Sequence, residues 1–463
     1  MIAPARLAAW RILRAVHGGS RTLPDALADI AARLDDERDR ALTAEIVTGT
    51  LRWRGALDHI VSRAARRPLD RIDPDVLDAL RIGAYQIIHL DRIPARAIVG
   101  DAAELARRGG KASAVGFVNA VLRRLAERPL PALPPRPVPP GGASAGDPQA
   151  LREAELEYLS VTLSHPRWLV ARWLSRMGFD AVERWCAFDN ERAPITLRAN
   201  TLHAGRDALA DALAAEGVAT EPTRFAPQGL TVTRGYPLRT RLAATGAFLV
   251  QDEASQLVAH VAGARPGQHV LDACASPGGK TVALAAAMAG RGLLVACDVR
   301  DRRVRLLAGT LRQAGAAGVR IVQADIEQGA PFAGESFACV LVDAPCSGLG
   351  TIRRDPEIRW RRAESDLARF ADRQLRLLRA AASVVRPGGR LVYATCSPEP
   401  EENEEVIEAF LRGTDFTLVD LRREDPGGRL APLLDARGCL RTLPPLHGLE
   451  AFVAAVLERP PRW

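Results

Sequence analysis

The chain has 463 residues, 47% hydrophobic, with a formal net charge of +8, which suits a soluble globular protein of roughly two to four domains. Seven scattered cysteines and no apolar run near ~20 residues exclude a disulfide scaffold and a helical membrane span. The positive balance suits a polyanionic partner such as nucleic acid, without requiring one.

Arg6, Arg11 and Arg14 interrupt the first apolar runs, so no signal-peptide core is expected and a reducing cytoplasm is the default compartment. Neither CxxC nor HExxH occurs, so no metal site is expected. Residues 1–128 read as all helix. Leu7, Trp10, Leu13 and Val16 recur at helical spacing until Gly18-Gly19. Asp73-Pro74 supplies an N-cap and a first-turn proline, followed by an apolar face through Val76, Leu77, Leu80 and Ala84. "GFVNAVLRRLAER" (116–128) closes the segment with an apolar stripe and an Arg-rich back. This stretch holds 22 Lys/Arg against 16 Asp/Glu, which fits an RNA-facing module and fits a solvated helical surface nearly as well.

Eight prolines within 129–148 mark a linker, 129–150. Residues 151–250 read as a small α/β module: "HPRWLVARWLSRMG" (165–178) a helix, "ITLRAN" (195–200) a strand, "RDALADALAAEG" (206–217) a helix, "GLTVTRG" (229–235) a strand. From 251 short apolar runs alternate with helices. "HVLDACA", "LLVACDV", "VRIVQAD", "ACVLVDA" and "RLVYATC" are the strands, with helices near 280–289, 301–314 and 364–385. That alternation predicts a mostly parallel sheet covered on both faces, with ligands at the carboxyl ends of its strands. Asp272, Asp298, Asp325, Asp343 and Cys396 all fall at or near such ends.

"LDACASPGGKT" (271–281) ends like a P-loop, but the glycine needed six residues before the lysine is Cys274. What remains is a strand, a glycine turn and a helix whose N-terminus favours an anionic group. Asp298 follows Gly279 by 19 residues, a spacing suited to ribose hydroxyls. Asp325 could accept from an adenine amino group, though a lone strand-end Asp often only caps the next helix. Together these favour a nucleoside-containing cofactor; NAD stays open at this point, although GxGxxG is absent.

"LDACASPGGKT", "DAPCSGLGTIRRDPEIRW" and "PGGRLVYATCSPEPEENE" together closely resemble the RNA cytosine-C5 methyltransferases that use S-adenosylmethionine. "GFVNAVLRR" resembles the NusB-like RNA-binding domain of one branch, the bacterial 16S ribosomal RNA methyltransferases of the Sun/Fmu (RsmB) kind. "SHPRWLVARWL" and "VQDEAS" extend the resemblance over nearly the whole chain; the linker and 413–440 carry little of it. Ser276 stands where alanine is commoner, and both are small.

The resemblance implies a Rossmann-like class I methyltransferase domain at 251–463, doubly wound, with a mostly parallel seven-stranded sheet. Before it would come an all-α NusB-like domain (1–128), the Pro-rich linker and an RRM-like α/β module (151–250). It also implies a monomeric enzyme acting on cytosine C5 of 16S rRNA at the 967-type site, in the cytoplasm, with neither membrane nor metal. Cytosine C5 is too weak a nucleophile to attack a methylsulfonium unaided. Adding a thiolate to C6 makes C5 nucleophilic, an acid near N3 offsets the developing charge, and a base then removes the C5 proton so that the thiolate leaves.

By the same resemblance Cys396 is the nucleophile, Cys346 resolves the adduct, Asp343 lies near cytosine N3, and Lys280 polarises the site. The cofactor residues are Cys274, Ala275, Ser276, Pro277, Gly278, Gly279, Lys280, Asp298, Asp325 and Asp343. Cys186, Cys297, Cys339 and Cys439 read as small buried hydrophobes. Arg353, Arg354, Arg359, Arg361 and Arg362 are candidate phosphate contacts, with a solvated basic face as the alternative. The acid run Glu399 to Glu405 reads as serving a helix N-terminus. A base that must reach a thiol has to leave its stack, so single-stranded or loop RNA is the expected substrate.

Overall fold

Aspartate caps start some of the helices of the first half. Asp36 accepts a hydrogen bond from Arg38 N (2.7 Å) and Asp73 from Asp75 N (3.0 Å), satisfying backbone donors that a first turn leaves free. The protein is represented by a computed structural model that describes residues 2–31, 33–127, 129–138, 147–425 and 427–462. It divides into two compact units: the residues up to Arg192 with Ile352–Glu364, and Ala193–Thr351 with Ser365–Trp463.

The first unit is helical. Pro4–His17, Glu37–Arg52, Arg54–Ala65, Pro74–His89, Ala95–Arg108 and Val115–Glu127 bury their apolar stripes in two clusters. One is built around Leu57, Leu80 and Leu122, the other around Trp10, Leu13 and Ile46. Residues 151–192, expected to open an α/β module with a helix at 165–178, are helical there as expected and belong by packing to this unit. Arg167–Met177 and Phe179–Asn190 stack Trp173 on Trp185 at 4.6 Å, both fully buried. Each ring contributes on the order of 5 kcal/mol of gross burial. Ser164 Oγ accepts from Gly55 N (2.7 Å), tying this segment to the preceding helices.

The linker is also not a free spacer where it is described. Leu130 and Leu133 pack on the first core, and Pro134 O accepts from Thr162 Oγ1 (2.6 Å). Residues 139–146 of the expected linker lie outside the described residues. The stretch 352–364 is anchored here as well: Trp360 Nε1 donates to Leu51 O (2.7 Å) and Glu357 accepts from Leu23 N (2.8 Å).

The second unit begins with a four-stranded antiparallel sheet of β1 (Thr196–Ala199), β2 (Ala219–Pro222), β3 (Gly229–Arg234) and β4 (Phe248–Val250), ordered β2-β3-β1-β4. Leu209 and Leu213 of the helix Arg206–Ala215 pack with Leu197 and Leu230 in its core. The chain continues into β5 (His269–Asp272), β6 (Leu293–Asp298), β7 (Arg320–Gln323), β8 (Phe337–Asp343), β9 (Val385–Thr395), β10 (Thr417–Leu418), β11 (Leu440–Thr442) and β12 (Phe452–Glu458). The order is β10-β12-β9-β8-β5-β6-β7, with β11 antiparallel on β12. The sheet therefore has eight strands rather than seven. Short β11 gains its hydrogen bonds on the far edge, where β12 and β10 also run antiparallel.

β5 through β9 are parallel, and apolar clusters cover both faces. The connection order reverses at β5, which is flanked by β6 and β8. The loops after β5 and β8 thus open a crevice at the carboxyl ends of the strands, where such sheets place their ligands. Among the described residues, no helix is long and apolar enough to cross a membrane.

Candidate active site

The loop after β5 turns because Gly278 adopts φ +109°, a left-handed conformation open to glycine. A Cβ there would come within 3.0 Å of Leu307 Cδ1 and 3.2 Å of Thr310 Cγ2. The helix Gly279–Ala287 follows at once. Thr281 Oγ1 donates to Asp272 Oδ2 (2.7 Å), tying the first helical turn to the end of β5. Buried Arg198 holds the same turn through Gly279 O (2.6 Å) and Gln251 Oε1 (2.6 Å). Burial pushes the Asp272 carboxyl up to about 7, and its Oδ1 lacks a hydrogen-bond partner.

A cavity of about 140 Å³ lies against this turn, bounded by Asp272, Cys274, Ser276, Pro277, Lys280 and Asp343. Lys280 Nζ reaches Asp343 Oδ2 at 2.8 Å and Ser255 Oγ at 3.1 Å, and lies 5.5 Å from the centre of the Phe452 ring. Burial opposes the charge on Lys280, but the Asp343 carboxylate outweighs it and raises the lysine pKa. Asp298 accepts from Ser276 N (3.2 Å) and pairs with Arg303 (3.2 Å), which also donates to Ser276 O (2.8 Å). Asp325 spends one oxygen capping the turn Ile326–Gln328 through Glu327 N (3.1 Å). Cys274 is half-buried, with its thiol pushed well up by burial and the surrounding carboxylates; Ala275 is buried.

The two cysteines singled out in the sequence come together. Cys346 Sγ and Cys396 Sγ are 3.2 Å apart, both half-buried. The hydrogen bond to Cys396, then burial, pushes the Cys346 thiol well above its ordinary value. That shift favours the protonated form of Cys346; either sulfur can donate across the contact. β8 and β9 are paired, with Asp343 opposite Ala394, so Asp343 sits one strand away from the cysteine that ends β9.

Gly350 N donates to Cys396 O (2.9 Å), and Gly350 O accepts from Ala451 N (3.0 Å). Cys297, Cys339 and Cys439 are buried, with thiols pushed up to about 12 by burial. Cys186 is likewise buried, its thiol pushed well up. Such thiols are inert. Among the described residues no group of His, Cys, Asp and Glu could hold a metal ion.

The arginines after the Cys346 loop belong to the helical unit. Arg359 must be withdrawn as a phosphate contact. It is fully buried, with Nη1 donating to Ser164 O (2.9 Å) and Asn190 Oδ1 (2.9 Å) and Nη2 to Asp189 O (3.2 Å). Its guanidinium is spent on those buried acceptors and cannot reach a strand of RNA. Arg353 pairs with Glu191 (3.0 Å) and lies 4.2 Å over Phe188, with 13% of its side chain exposed. Arg354 is half-buried.

The sequence reading also assigned Glu402 wrongly. Glu404 and Glu405 do open the helix Glu404–Leu411, but Glu402 points inward and is fully buried. It accepts from Ser347 and Ser397, the residues following the two cysteines. The acid run was visible; nothing in its spacing distinguished the buried acids, Glu399 and Glu402, from the outward ones.

Three family models match. Residues 259–458 match 16S rRNA methyltransferase RsmB/F, residues 3–127 the NusB family, and residues 165–239 the RsmF/B-like ferredoxin-like domain. The chain is 34% identical to the probable ribosomal RNA small subunit methyltransferase B of Bacillus subtilis, covering 91% of each chain. To ribosomal RNA small subunit methyltransferase B of Pseudomonas putida it is 37% identical, over 88% of this chain and 89% of the relative. Among solved structures, PH0851 is similar across 99% of both chains, with 27% identity and a TM-score of 0.80. NSun6 from Pyrococcus horikoshii, solved with SFG, shares the fold: TM-score 0.57, 19% identity, 64% of this chain and 98% of that one.

Proposed function

The chain belongs to the RsmB/F family of 16S rRNA methyltransferases, and from that premise we propose that it methylates cytosine C5 at the family's 967-type site with S-adenosylmethionine as donor. The observation that carries this reading is the pair of thiols at 3.2 Å, one strand away from Asp343 and its partner Lys280. A packed core has no need for two thiols and an ion pair at the open end of a parallel sheet.

The residues present fit the donor. Gly279 leaves the backbone bare of a Cβ where the loop meets the cavity, and Asp272 keeps an unpartnered oxygen beside it. Cys274 to Lys280 would hold the amino-acid portion, with Asp298 and Asp325 on the nucleoside. When bound, S-adenosylmethionine supplies an electrophilic methyl group.

The remaining chemistry belongs to the protein's own side chains. Cys396 adds as thiolate to cytosine C6, and the electron pair moves toward N3. Asp343 meets the N3 edge, and the Lys280 ammonium offsets the negative charge that builds there. After C5 is methylated, loss of its proton returns the electron pair to the ring and expels the Cys396 thiolate. Cys346, which retains its proton beside Cys396, donates a hydrogen bond to the departing sulfur. Its absence therefore slows expulsion more than addition. Arg354 and the basic surface of residues 2–127 are candidates for holding RNA phosphates.

Bisulfite sequencing of rRNA and tRNA from a deletion strain tests the assignment. Loss of one methylated cytosine in 16S rRNA is the expected result. Intact 16S methylation with a lost tRNA site would move the enzyme to another substrate class.

A further inference from the structure

The two cysteine loops leave different strands, β8 and β9, and chain connectivity alone does not set the distance between their sulfurs. A single buried carboxylate spans them. Glu402 Oε1 accepts from Ser347 N (2.8 Å) and Gln374 Nε2 (3.0 Å). Its Oε2 accepts from Ser347 Oγ (2.5 Å) and Ser397 Oγ (2.5 Å). Ser347 follows Cys346 and Ser397 follows Cys396, so one side chain grips the residue after each thiol.

The grip is itself anchored. Tyr393 Oη donates to Glu402 O (2.6 Å), and Asn403 Nδ2 donates to Ser397 O and Glu399 O (both 2.8 Å). Gln374 Nε2 also donates to Pro345 O (3.1 Å), adding a tie on the other side of Cys346. Glu402 and all three of its side-chain partners are fully buried. A buried carboxylate is costly to desolvate unless its lone pairs are satisfied. Four hydrogen bonds satisfy these, and in return the carboxylate orders both loops.

We propose that Glu402 is a positioning residue that sets the Cys346–Cys396 separation and so enables the thiol-assisted expulsion step. The proposal rests on the cysteine roles given above. Alanine at 402 leaves Ser347 N, two hydroxyls and a glutamine amide without their acceptor, and each loop is then free to relax separately. Glutamine keeps Oε1 for Ser347 N and Gln374, while its amide can donate to serine hydroxyls that rotate to accept. Glu402→Gln therefore preserves the spacing and removes the charge. The charge has a second effect: it disfavours a thiolate at Cys346, in line with the upward shift of that thiol.

The test uses the full-length protein and two independent readouts. Phenylarsine oxide bridges two thiols in contact, its arsenic–oxygen unit and two S–H groups giving two As–S bonds and water. Wild type should capture it and Cys396→Ser should not. Glu402→Ala should weaken capture by at least about tenfold, with S-adenosylmethionine affinity unchanged, and Glu402→Gln should restore it. Single-turnover release of free methylated RNA should fall on the order of 100-fold in Glu402→Ala, as for a displacement near 1 Å, with enzyme-linked RNA accumulating. It should recover in Glu402→Gln with its alkaline limb moved to lower pH.

Unchanged capture in Glu402→Ala overturns the proposal. So does a parallel loss of capture and cofactor affinity, which would mark general unfolding. If Glu402→Ala loses capture while Cys396→Ala still transfers methyl groups, the tether stands and the cysteine roles fall.

Discussion

Replacing Gly350 by alanine isolates the role of close packing between the two cysteine loops. Gly350 is not among the positive-φ glycines, so alanine can adopt its backbone conformation. Space is the obstacle. A Cβ at 350 would stand 2.1 Å from Ala451 O and 2.8 Å from Cys396 O, both backbone atoms that cannot rotate away. Restoring an ordinary contact of 3.4 Å to Ala451 O requires a shift of about 1.3 Å. Such overpacking costs about 1–3 kcal/mol. Stretching the bonds from Gly350 N to Cys396 O and from Ala451 N to Gly350 O adds about 1 kcal/mol each. The expected loss of stability is roughly 3–5 kcal/mol.

The same Cβ presses on Cys396 O at 2.8 Å, so on the proposed role of Cys396 single-turnover methyl transfer should drop on the order of 100-fold even in molecules that remain folded. Urea unfolding gives the first quantity, and transfer from labelled S-adenosylmethionine at saturation gives the second. Wild-type stability together with a wild-type rate would refute the reasoning, because no side chain lies there to absorb the clash.

Gly100→Ala is the contrasting case. Gly100 lies inside the helix Ala95–Arg108 with nothing within 4 Å of its Cβ position, and alanine should raise the urea midpoint by the equivalent of about 0.5–1 kcal/mol. Arg359→Met should lower the melting temperature sharply, by about 3–5 kcal/mol in stability, because three buried acceptors lose their donor. The salt dependence of RNA binding should not change; a slope reduced by about one would restore Arg359 as a phosphate contact. Asp272→Asn tests the buried carboxyl. The folded pKa near 7 lies above the unfolded value near ~3.9, so this group's stabilising contribution is present below ~3.9 and lost as pH rises through about 7. The asparagine variant should lose less stability than wild type between pH 5 and 8, and parallel urea midpoints across that range would contradict the shift.

The parallel strands were legible because each is a short apolar run ending in a turn signal: "HVLD", "LLVACD" and "FACVLVD" became β5, β6 and β8. The antiparallel edge was not. β10 and β11 have two and three residues, too short for any periodicity, and they acquire strand geometry only from pairing with β12. The helices at 148–190 misled for another reason. Only the stripe at 165–178 was read as a helix, and a stripe says only that a face is buried, not against which unit. Within the site, Cys346 and Cys396 stood out because their chemistry needs them at strand ends. Arg359 looked like the neighbouring arginines because Ser164, Asp189 and Asn190, which satisfy its buried polarity, lie far away in sequence. Glu402 was hidden among five glutamates for the same reason: its partners are set by the fold.

The central claim is that Cys396 attacks and Cys346 releases. Cys346→Ala should still add to its target cytosine and then stall, leaving enzyme linked to RNA as a slow band on a denaturing gel with labelled RNA. Cys396→Ala and the double variant should give no such band and no methyl transfer. A slow band in Cys396→Ala, absent from Cys346→Ala, would reverse the two roles and contradict the account.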